Sequence, residues 1–326
     1  MSRMPIIILS CLLLLFGACS QGGDDDGFVP EDDTPCSSVL LNDTLRILDI
    51  GNSYTEDYTS LLPAIADNLG GNLKNVCYYN LVRPGGSFQS WYDCFYGRDT
   101  EAYYCQKLLG DIRQPVPTGN FRSHDSRALR LILSARWDLI ILHPVSSYAT
   151  NYAAWQTRRE GGYLHELVAL LRKSQPRTSF AFVLTHSYEH TYVNNKEGST
   201  YERWQHISAA AQWLMTMNGN FRYLIPYGTA IENLRTVANT EHDLTRDGTH
   251  LGRGLARYAA ALTVYQTLFY PRTGRSVADC TLTYTCSQWE IAGSRYTDGC
   301  IDVTAHNGSL AIEAALKACD SPYQCR

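Results

Sequence analysis

The chain has 326 residues, of which 44% are hydrophobic and 18% are charged, with a formal net charge of −4. This balance is typical of a globular protein and excludes a largely disordered one. Residues 1–35 carry one basic and six acidic residues, so the rest of the chain is close to neutral. Because there is no basic surplus, nucleic acid is not among the partners that we expect.

Residues 1–18 are predicted to be an export signal rather than part of the fold. Arg3 provides the basic start, and the apolar core at residues 6–16 is too short to span a bilayer comfortably. Gly17-Ala18-Cys19 follows, and small residues before a cysteine are typical of a bacterial lipoprotein signal. We therefore expect lipidation of Cys19, with this anchor as the only membrane contact. Ordinary signal cleavage, with Cys19 as a spare thiol, is the alternative.

Three further segments are predicted after the signal. Residues 19–35 are rich in glycine and aspartate and are expected to form an acidic disordered tether. Residues 36–272 are expected to form the main domain. Residues 273–326 hold five cysteines and are expected to form a disulfide-rich extension packed on that domain. The cysteine positions leave the connectivity open, but we expect some of these five to pair among themselves.

Five strand-like runs stand out in the main domain, and most are continuously apolar, as strands buried on both faces should be. They are Leu45–Ile50, Val76–Val82, Asp138–His143, Ser179–Thr185 and Arg222–Ile225. Helical spacing of apolar residues separates them, for example at residues 62–69, 164–171 and 255–262. This alternation predicts an α/β fold whose central parallel five-stranded sheet is covered by helices on both faces. Residues 98–123 show no clear period and are interpreted as an excursion over the sheet edge or the site.

Gly51-Asn52-Ser53-Tyr54 directly follows the first strand. A serine on a tight turn after a strand can present its hydroxyl to solvent, but it needs a base within hydrogen-bond distance to act as a nucleophile. We expect a helix to begin soon afterwards, near Leu61 or Leu62, with backbone N–H groups of the turn facing a developing oxyanion. Taken alone, the tetrapeptide fits a turn or a helix cap better.

Asp247-Gly248-Thr249-His250 lies far downstream, just before a helical pattern. A carboxylate near the imidazole can fix the tautomer of His250 and stabilise the imidazolium that forms during catalysis. Ser53, Gly85-Gly86 and His143 all lie just past the carboxyl end of a predicted strand, where parallel sheets bind ligands. Together these positions predict a serine hydrolase with Ser53 as nucleophile, His250 as base and Asp247 as the residue that orients it.

These blocks resemble those of the SGNH (GDSL-type) hydrolases, flavodoxin-like enzymes that cleave esters. The chain is most similar to a poorly characterised branch of Bacteroidetes lipoproteins whose first block reads Gly-Asn-Ser, as residues 51–53 do. The last block of the family, Asp-x-x-His, is matched by Asp247 and His250. The resemblance covers about residues 45–270 and implies a three-layer flavodoxin-like domain. The acidic patch after Cys19 is similar to the surface-export signal of such lipoproteins, which implies an outer-membrane, surface-exposed location.

The resemblance also implies an oxyanion hole built from the amides of Ser53 and Gly86. The third block departs from the family pattern, which has Gly-x-Asn-Asp after the third strand. This chain has Leu142-His143-Pro144-Val145-Ser146 at that place. We therefore expect a ring N–H of His143 to replace the missing asparagine as the third donor.

A rival motif, H-x-x-E-H, is present at residues 186–190 and is typical of inverted zinc proteases. Zinc binding needs both histidines on one helical face, whereas this motif follows a strand. We therefore expect neither a metal nor an organic cofactor, and we expect His186 to line the cleft. Trp91 and Tyr148 are further candidates for substrate contact, because flat rings suit sugar stacking. Core packing of these aromatic residues is an equally open alternative.

The sequence thus predicts a serine esterase that removes acetyl or other short acyl groups from carbohydrate, with a small-molecule or glycan ester as substrate. The alternative is a glycan-binding surface lipoprotein with impaired catalysis, and the missing asparagine of the third block favours it. A lipase or lysophospholipase is a third, less favoured interpretation.

Overall fold

The computed structural model describes residues 44–70, 73–98, 101–110, 116–122, 126–158, 162–190, 192, 198–238, 244–286 and 300–326. The predicted export signal, Cys19 and the acidic tether lie outside the described residues, so they stay predictions. Among the helices that the structure describes, none combines the length and the hydropathy that crossing a lipid bilayer requires.

A seven-stranded mixed sheet lies at the centre of the described part of the chain. Its strands are β1 (Leu45–Gly51), β2 (Val76–Val82), β3 (Ala102–Leu109), β4 (Gly119–Arg122), β5 (Leu139–Leu142), β6 (Ser179–Val183) and β7 (Phe221–Ile225). Their spatial order is β4-β3-β2-β1-β5-β6-β7. The strands β2, β1, β5, β6 and β7 run parallel, whereas β3 and β4 pair antiparallel at one edge.

The prediction of a parallel five-stranded sheet is therefore right for the centre and wrong for the whole sheet. All five predicted strands are present, and their order matches the flavodoxin-like arrangement. The two additional strands come from residues 98–123, which we had interpreted as an excursion. In β3, Tyr103 and Cys105 are buried while Gln106 and Lys107 are exposed, so this strand lacks the continuous apolar run by which the other strands were predicted.

Helices cover both faces of the sheet. In chain order they are α1 (Ser53–Thr59), α2 (Leu62–Asn68), α3 (Phe88–Phe95), α4 (Ser126–Ser134), α5 (Tyr152–Trp155), α6 (Leu164–Ser174), α7 (Thr200–Met217), α8 (Tyr227–Ala238), α9 (Leu255–Leu268), α10 (Tyr270–Thr273) and α11 (Ala305–Asp320). Alternate residues of β1 enter two separate cores, because strand side chains point to opposite faces. Leu45 and Ile47 pack with α2, α8, α9 and α11, while Leu48 and Ile50 pack with α3, α4, α6 and α7.

The C-terminal residues complete one of these helical layers. Helix α11 packs on α8 and α9 with Ala311, Ala314 and Ala315 buried in the shared core. The Asn233 side chain donates to the Ala314 carbonyl at 3.3 Å, which fixes α11 along α8.

The cysteines of this region are only partly paired. The Cys286–Cys300 disulfide confirms the expectation that some of the last five cysteines pair among themselves. Cys280, Cys319 and Cys325 are free thiols. The expectation of a disulfide-rich extension is therefore met only in part. Packing of α11 against the main core replaces the covalent bracing that the cysteine count suggested.

Candidate active site

Ser53, His250 and Asp247 come together although nearly 200 residues separate the serine from the histidine. The Ser53 Oγ lies 2.8 Å from His250 Nε2, with a sequence separation of 197. The other ring nitrogen, His250 Nδ1, lies 2.7 Å from Asp247 Oδ2. Ser53, His250 and Asp247 are all partly exposed, so the pair that would react faces a surface that solvent or a ligand can reach.

The serine is placed by the junction between β1 and α1. The helix expected to begin near Leu61 or Leu62 is α2, and a further helix that was not expected, α1, begins at Ser53 itself. Asn52 caps the helix by accepting from the Tyr54 N–H at 3.1 Å. The Asn52 amide nitrogen lies 3.2 Å from the Gly86 carbonyl and 3.3 Å from the Pro144 carbonyl. This one buried side chain therefore ties together the loops that follow β1, β2 and β5.

The loop that carries the histidine is held by Asp247. The Asp247 Oδ1 accepts from the N–H groups of Thr249 and His250, at 3.0 and 2.8 Å. Partial burial opposes ionisation of this carboxyl, but the hydrogen bonds from His250 and Thr249 outweigh it and lower the pKa of Asp247. Asp247 is thus an ionised acceptor, which keeps the proton of a neutral His250 on Nδ1 and leaves Nε2 free to accept from Ser53.

Asp57 joins this loop to the serine helix. It is fully buried on α1, one turn after Ser53, and accepts from Arg246 at 2.7 Å and from Arg257 at 2.6 Å. Its second oxygen accepts from the Leu251 N–H at 3.1 Å. The residues on either side of the Asp247–His250 segment are therefore anchored to the helix that begins with Ser53.

The glycine turn after β2 does not present the amide that we expected. The Gly86 N–H donates to the Arg83 carbonyl at 2.9 Å, so the predicted oxyanion role of this amide does not fit the structure. Pro84 and Gly85 occupy the two central positions of that turn. Gly85 has φ +65°, which glycine adopts at little cost. The Gly85 N–H takes no part in the hydrogen bond of the turn.

His143 and His186 lie behind the triad rather than in the cleft. Both side chains are buried. The His143 ring contacts Asn52 and Tyr227 through its two nitrogens, at 3.4 and 3.3 Å. Both nitrogens are engaged, so the predicted donation from His143 to an oxyanion does not fit either. His186 bonds to Tyr227 at 3.1 Å and to the Thr249 carbonyl at 2.6 Å, so it contacts the loop that carries His250 and not solvent.

The aromatic candidates for substrate contact differ in their exposure. Trp91 is buried in the core, and its indole N–H donates to the Gly51 carbonyl at 2.9 Å. It therefore supports the backbone next to Ser53, which favours the packing alternative. Tyr148 lies half-buried in a short helical turn after β5 and packs against the edge of the same core.

The H-x-x-E-H motif lies in a loop rather than on a helix. Residues 184–189, directly after β6, have no regular secondary structure. His186 and His190 are therefore not one helical turn apart, as a zinc protease would need. Within the described ranges, no cluster of three or more histidine, cysteine or acidic side chains could hold a metal ion.

Three contributors to the site were missed in the sequence. The motif does not reveal the contacts of the Asn52 amide, and Asp57 lies on α1, which the sequence pattern does not predict. Tyr227 is the third. It lies just past the carboxyl end of β7, so the positional rule that singled out Ser53 and His143 would have found it.

Solved structures resemble this fold to different degrees. A crystal structure of a DUF4886 family protein from Bacteroides uniformis is 22% identical, with a TM-score of 0.66 over 87% of this chain and 98% of that one. A putative acylhydrolase from Bacteroides fragilis is 14% identical, with a TM-score of 0.40 over 72% of this chain and 92% of that one. An acetyl xylan esterase is also 14% identical, with a TM-score of 0.40 over 68% and 98%. The last two similarities are too distant to indicate an activity.

No curated protein matches the sequence. A family model does match residues 46–288, which include the seven described strands except for Leu45, and the segments that carry Ser53, Asp247 and His250. The chain therefore belongs to the DUF4886 family, whose shared domain is described as a domain of unknown function.

Proposed function

We propose that this chain is a serine hydrolase that cleaves ester bonds. One observation supports it above all: the hydroxyl of Ser53, the ring of His250 and the carboxylate of Asp247 form an unbroken line of hydrogen bonds of 2.8 and 2.7 Å. The line starts at the carboxyl end of β1, in the crevice where parallel sheets bind ligands. The same arrangement of groups serves acyl transfer on several unrelated folds.

Each group has one task in the proposed reaction. Ser53 Oγ attacks the ester carbonyl carbon while its proton passes to His250 Nε2. The tetrahedral intermediate then expels the alcohol, which takes the proton from His250 and leaves an acyl group on Ser53. Water attacks this acyl-enzyme with His250 again as the base, which releases the acid. Asp247 stabilises the imidazolium in both halves of the reaction.

We assign the oxyanion to the backbone amides of Ser53 and Gly85. Ser53 is the first residue of α1, and the first N–H groups of a helix have no carbonyl partner within it. The turn after β2 lies against Asn52 through the Gly86 carbonyl, so Gly85 belongs to the loop that contacts the residue before the serine. Two amide donors suffice for many acyl-transfer enzymes, so the missing asparagine does not exclude turnover.

The proposal is tested by Ser53→Ala, measured with p-nitrophenyl acetate and with a fluorophosphonate probe. We expect the variant to lose about 10⁶-fold in kcat and to escape labelling, because no other group can form the acyl-enzyme. Ser134→Ala is the matched control, since Ser134 lies exposed at the end of α4 and its hydroxyl donates to the Leu131 carbonyl of the same helix. Equal hydrolysis by the Ser53 variant and the wild type would refute the mechanism.

We propose short acyl groups on carbohydrate as the substrate. The support is chemical: the site is partly open, and Tyr148 beside the end of β5 offers an aromatic surface on which a sugar ring could stack. Acetate release from acetylated xylan, pectin and mucin measures this preference directly. Faster cleavage of long-chain acyl esters would instead indicate a lipase or lysophospholipase.

A second function has an observation of its own. The His143 ring is buried, so it does not replace the asparagine that the third block lacks, and an oxyanion hole with two donors would be weaker. The missing third donor favours glycan binding with impaired catalysis. Glycan binding without fluorophosphonate labelling of Ser53 would select it over the hydrolase.

We also propose export as an outer-membrane lipoprotein through Cys19. The small residues before this cysteine and the acidic segment after it support the proposal. Metabolic labelling with a fatty-acid analogue checks it, and labelling that persists in Cys19→Ala would contradict it.

A further inference from the structure

A line of buried hydrogen bonds runs behind the proposed catalytic pair. It begins at the Asn52 amide nitrogen, which lies 3.4 Å from His143 Nδ1, and continues from His143 Nε2 to the Tyr227 hydroxyl at 3.3 Å. The Tyr227 hydroxyl lies 3.1 Å from His186 Nδ1, and His186 Nε2 lies 2.6 Å from the Thr249 carbonyl. The line therefore connects the residue before Ser53 with the residue before His250.

The direction of each bond follows from the two ends of the line. The Thr249 carbonyl can only accept, so His186 carries its proton on Nε2 and accepts on Nδ1. The amide nitrogen of Asn52 shares its two protons among the carbonyls of Gly86 and Pro144 and His143 Nδ1, so in its contact with Asn52 the ring accepts on Nδ1 and carries its proton on Nε2. The single proton of Tyr227 then points to His186, while its oxygen accepts from His143. The bonds from His143 through Tyr227 and His186 to Thr249 thus run in one consistent order.

Burial keeps both histidines neutral, as this order requires. His143, His186 and Tyr227 are at most 1% exposed. Burial lowers the pKa of His143 to about 3. Burial also lowers the pKa of His186 far below its usual value, and the charge of the nearby Arg235 acts in the same direction. A neutral imidazole has one donor and one acceptor, which is what each position in the line uses.

Aromatic packing fixes the rings of this line in place. Tyr58 stacks on both His143 and Tyr227, with ring centroids 5.6 and 5.0 Å apart. Tyr54 lies between the two sides of the site, with its ring 4.7 Å from the ring of His186 and 5.1 Å from that of His250. The hydroxyl of Tyr227 also lies 2.7 Å from Thr185 Oγ1, so all its hydrogen-bonding capacity is used.

We propose that Tyr227 and His186 are positioning residues for the hydrolysis. Through the Thr249 carbonyl they hold the backbone of His250, so that its ring stays at the distance from Ser53 that proton transfer needs. Neither residue touches the substrate in this scheme. The inference rests on the proposed function, because it assigns a role in the same reaction.

His186 acts on His250 through a single peptide bond. His186 bonds to the carbonyl of the peptide that joins Thr249 to His250, so a shift of that bond moves the imidazole directly. A misplacement of about 1 Å between reacting groups costs on the order of 100-fold in rate. Loss of the line should therefore lower kcat far more than it raises KM, because the substrate contacts stay intact.

Tyr227→Phe removes the middle of the line and keeps the stacked ring. We expect kcat for p-nitrophenyl acetate to fall by about 100-fold with little change in KM. Tyr265→Phe is the matched control, because Tyr265 is also a buried tyrosine whose hydroxyl bonds to a threonine, at 3.4 Å, but it lies on α9 away from the line. The control should keep the wild-type kcat, and thermal unfolding of both variants checks that they are folded.

A pair of substitutions at His186 separates positioning from general stability. A glutamine can place an amide N–H close to where Nε2 of the histidine lies, whereas a leucine has no donor. We expect His186→Gln to retain most of the wild-type kcat, and His186→Leu to fall at least as far as Tyr227→Phe. A residue that only fills space would show no such rescue.

The outcomes distinguish this inference from the proposed function. If the wild type turns over, Ser53→Ala does not, and both Tyr227→Phe and His186→Leu match the wild-type kcat, the positioning role alone is overturned. If the wild type neither turns over nor reacts with the fluorophosphonate, the proposed function fails and the positioning role fails with it. A loss of kcat in Tyr227→Phe and His186→Leu, with rescue in His186→Gln, supports both.

Discussion

Two carboxyl groups near the site have surroundings that shift their pKa in opposite directions. Asp247 accepts hydrogen bonds from His250 and Thr249, which outweigh its partial burial and lower its pKa. Asp49, in the middle of β1, is fully buried, and burial raises its pKa to about 7 although Tyr58 and Tyr78 donate to it. The first stays ionised beside His250, while the second takes up a proton near neutral pH inside the sheet core. Environment thus separates two identical side chains into a site residue and a core residue.

The raised pKa of Asp49 predicts a pH dependence of stability. In the unfolded chain this carboxyl titrates near 3.8, and in the fold near 7, so between these values the fold holds the proton more tightly. The stability that Asp49 contributes is therefore lost as pH rises from about 4 through about 7. We expect Asp49→Asn to become more stable relative to the wild type by a few kcal/mol over this window.

Urea unfolding of both proteins at several pH values measures this difference. The amide of the variant does not ionise, so its free energy of unfolding should lack the fall that Asp49 causes in the wild type. Parallel curves for the two proteins across the window would show that the pKa of Asp49 is not raised in the fold.

Among the elements, α1 and the loop around His250 behave as one unit because Asp57 binds both. Asp57 is 1% exposed, while Arg246 and Arg257 are each 21% exposed, so the arginines can regain water if the carboxylate is lost. We expect Asp57→Asn to lower the free energy of unfolding by about 2 kcal/mol, the value of one or two hydrogen bonds to a charged group. It should also lower kcat, because the loop loses its attachment next to Leu251.

The measurement is urea unfolding together with kcat for p-nitrophenyl acetate. Asp67→Asn on α2 is the control, since it makes the same change of charge at an exposed position. A variant at position 57 that is less stable but fully active would show that Asp57 supports the fold without positioning the loop.

The elements also show which parts of the fold could be predicted from sequence. Four of the five parallel strands were predictable because nearly all of their side chains are buried on both faces, which leaves mostly apolar runs. Helix α1 was not, because its side chains Thr55, Asp57 and Thr59 are polar and yet buried, so no amphipathic period remains. Its polar residues serve contacts with distant segments, and local patterns carry no information about those contacts.

The candidate site was predictable in its reacting groups and not in its support. Ser53, Asp247 and His250 follow from residue chemistry and from spacing within each motif. The roles of Tyr227 and His186 depend on contacts between segments that are distant in the sequence: the start of α8, the loop after β6 and the loop that carries His250. The same limit explains why the oxyanion role predicted for Gly86 does not fit. Its amide donates within its own turn, and only the backbone geometry shows this.

At the scale of the whole molecule, the site lies where the sheet reverses its direction of growth. From β1 the chain adds β2 on one side and later adds β5, β6 and β7 on the other. The loops after β1 and β5 therefore diverge and leave a crevice between them, which is the usual ligand position in such sheets. The segment with Asp247 and His250 reaches this crevice from outside the sheet, just before α9.

The C-terminal region contacts the chain just after the segment with Asp247 and His250. Gly254, the residue before α9, forms a parallel bridge with Ile301, and the Leu255 N–H donates to the Ile301 carbonyl at 2.9 Å. The Cys286–Cys300 disulfide closes a loop of 14 residues directly before this bridge. A crosslink stabilises mainly by restricting the unfolded chain, and for a loop of this length the model value is about 3 kcal/mol.

We therefore expect a Cys286→Ser, Cys300→Ser double variant to unfold at lower urea concentration, with a loss of about 3 kcal/mol. Its kcat under native conditions should match that of the wild type. Asp57 and the hydrogen bonds of Tyr227 and His186 hold the loop with His250 in place without the disulfide. A reductant should bring the wild type to the stability of the variant and leave the variant itself unchanged, which serves as the control. A fall in kcat that accompanies reduction would mean instead that the C-terminal region, and not the buried contacts behind the triad, sets the position of His250.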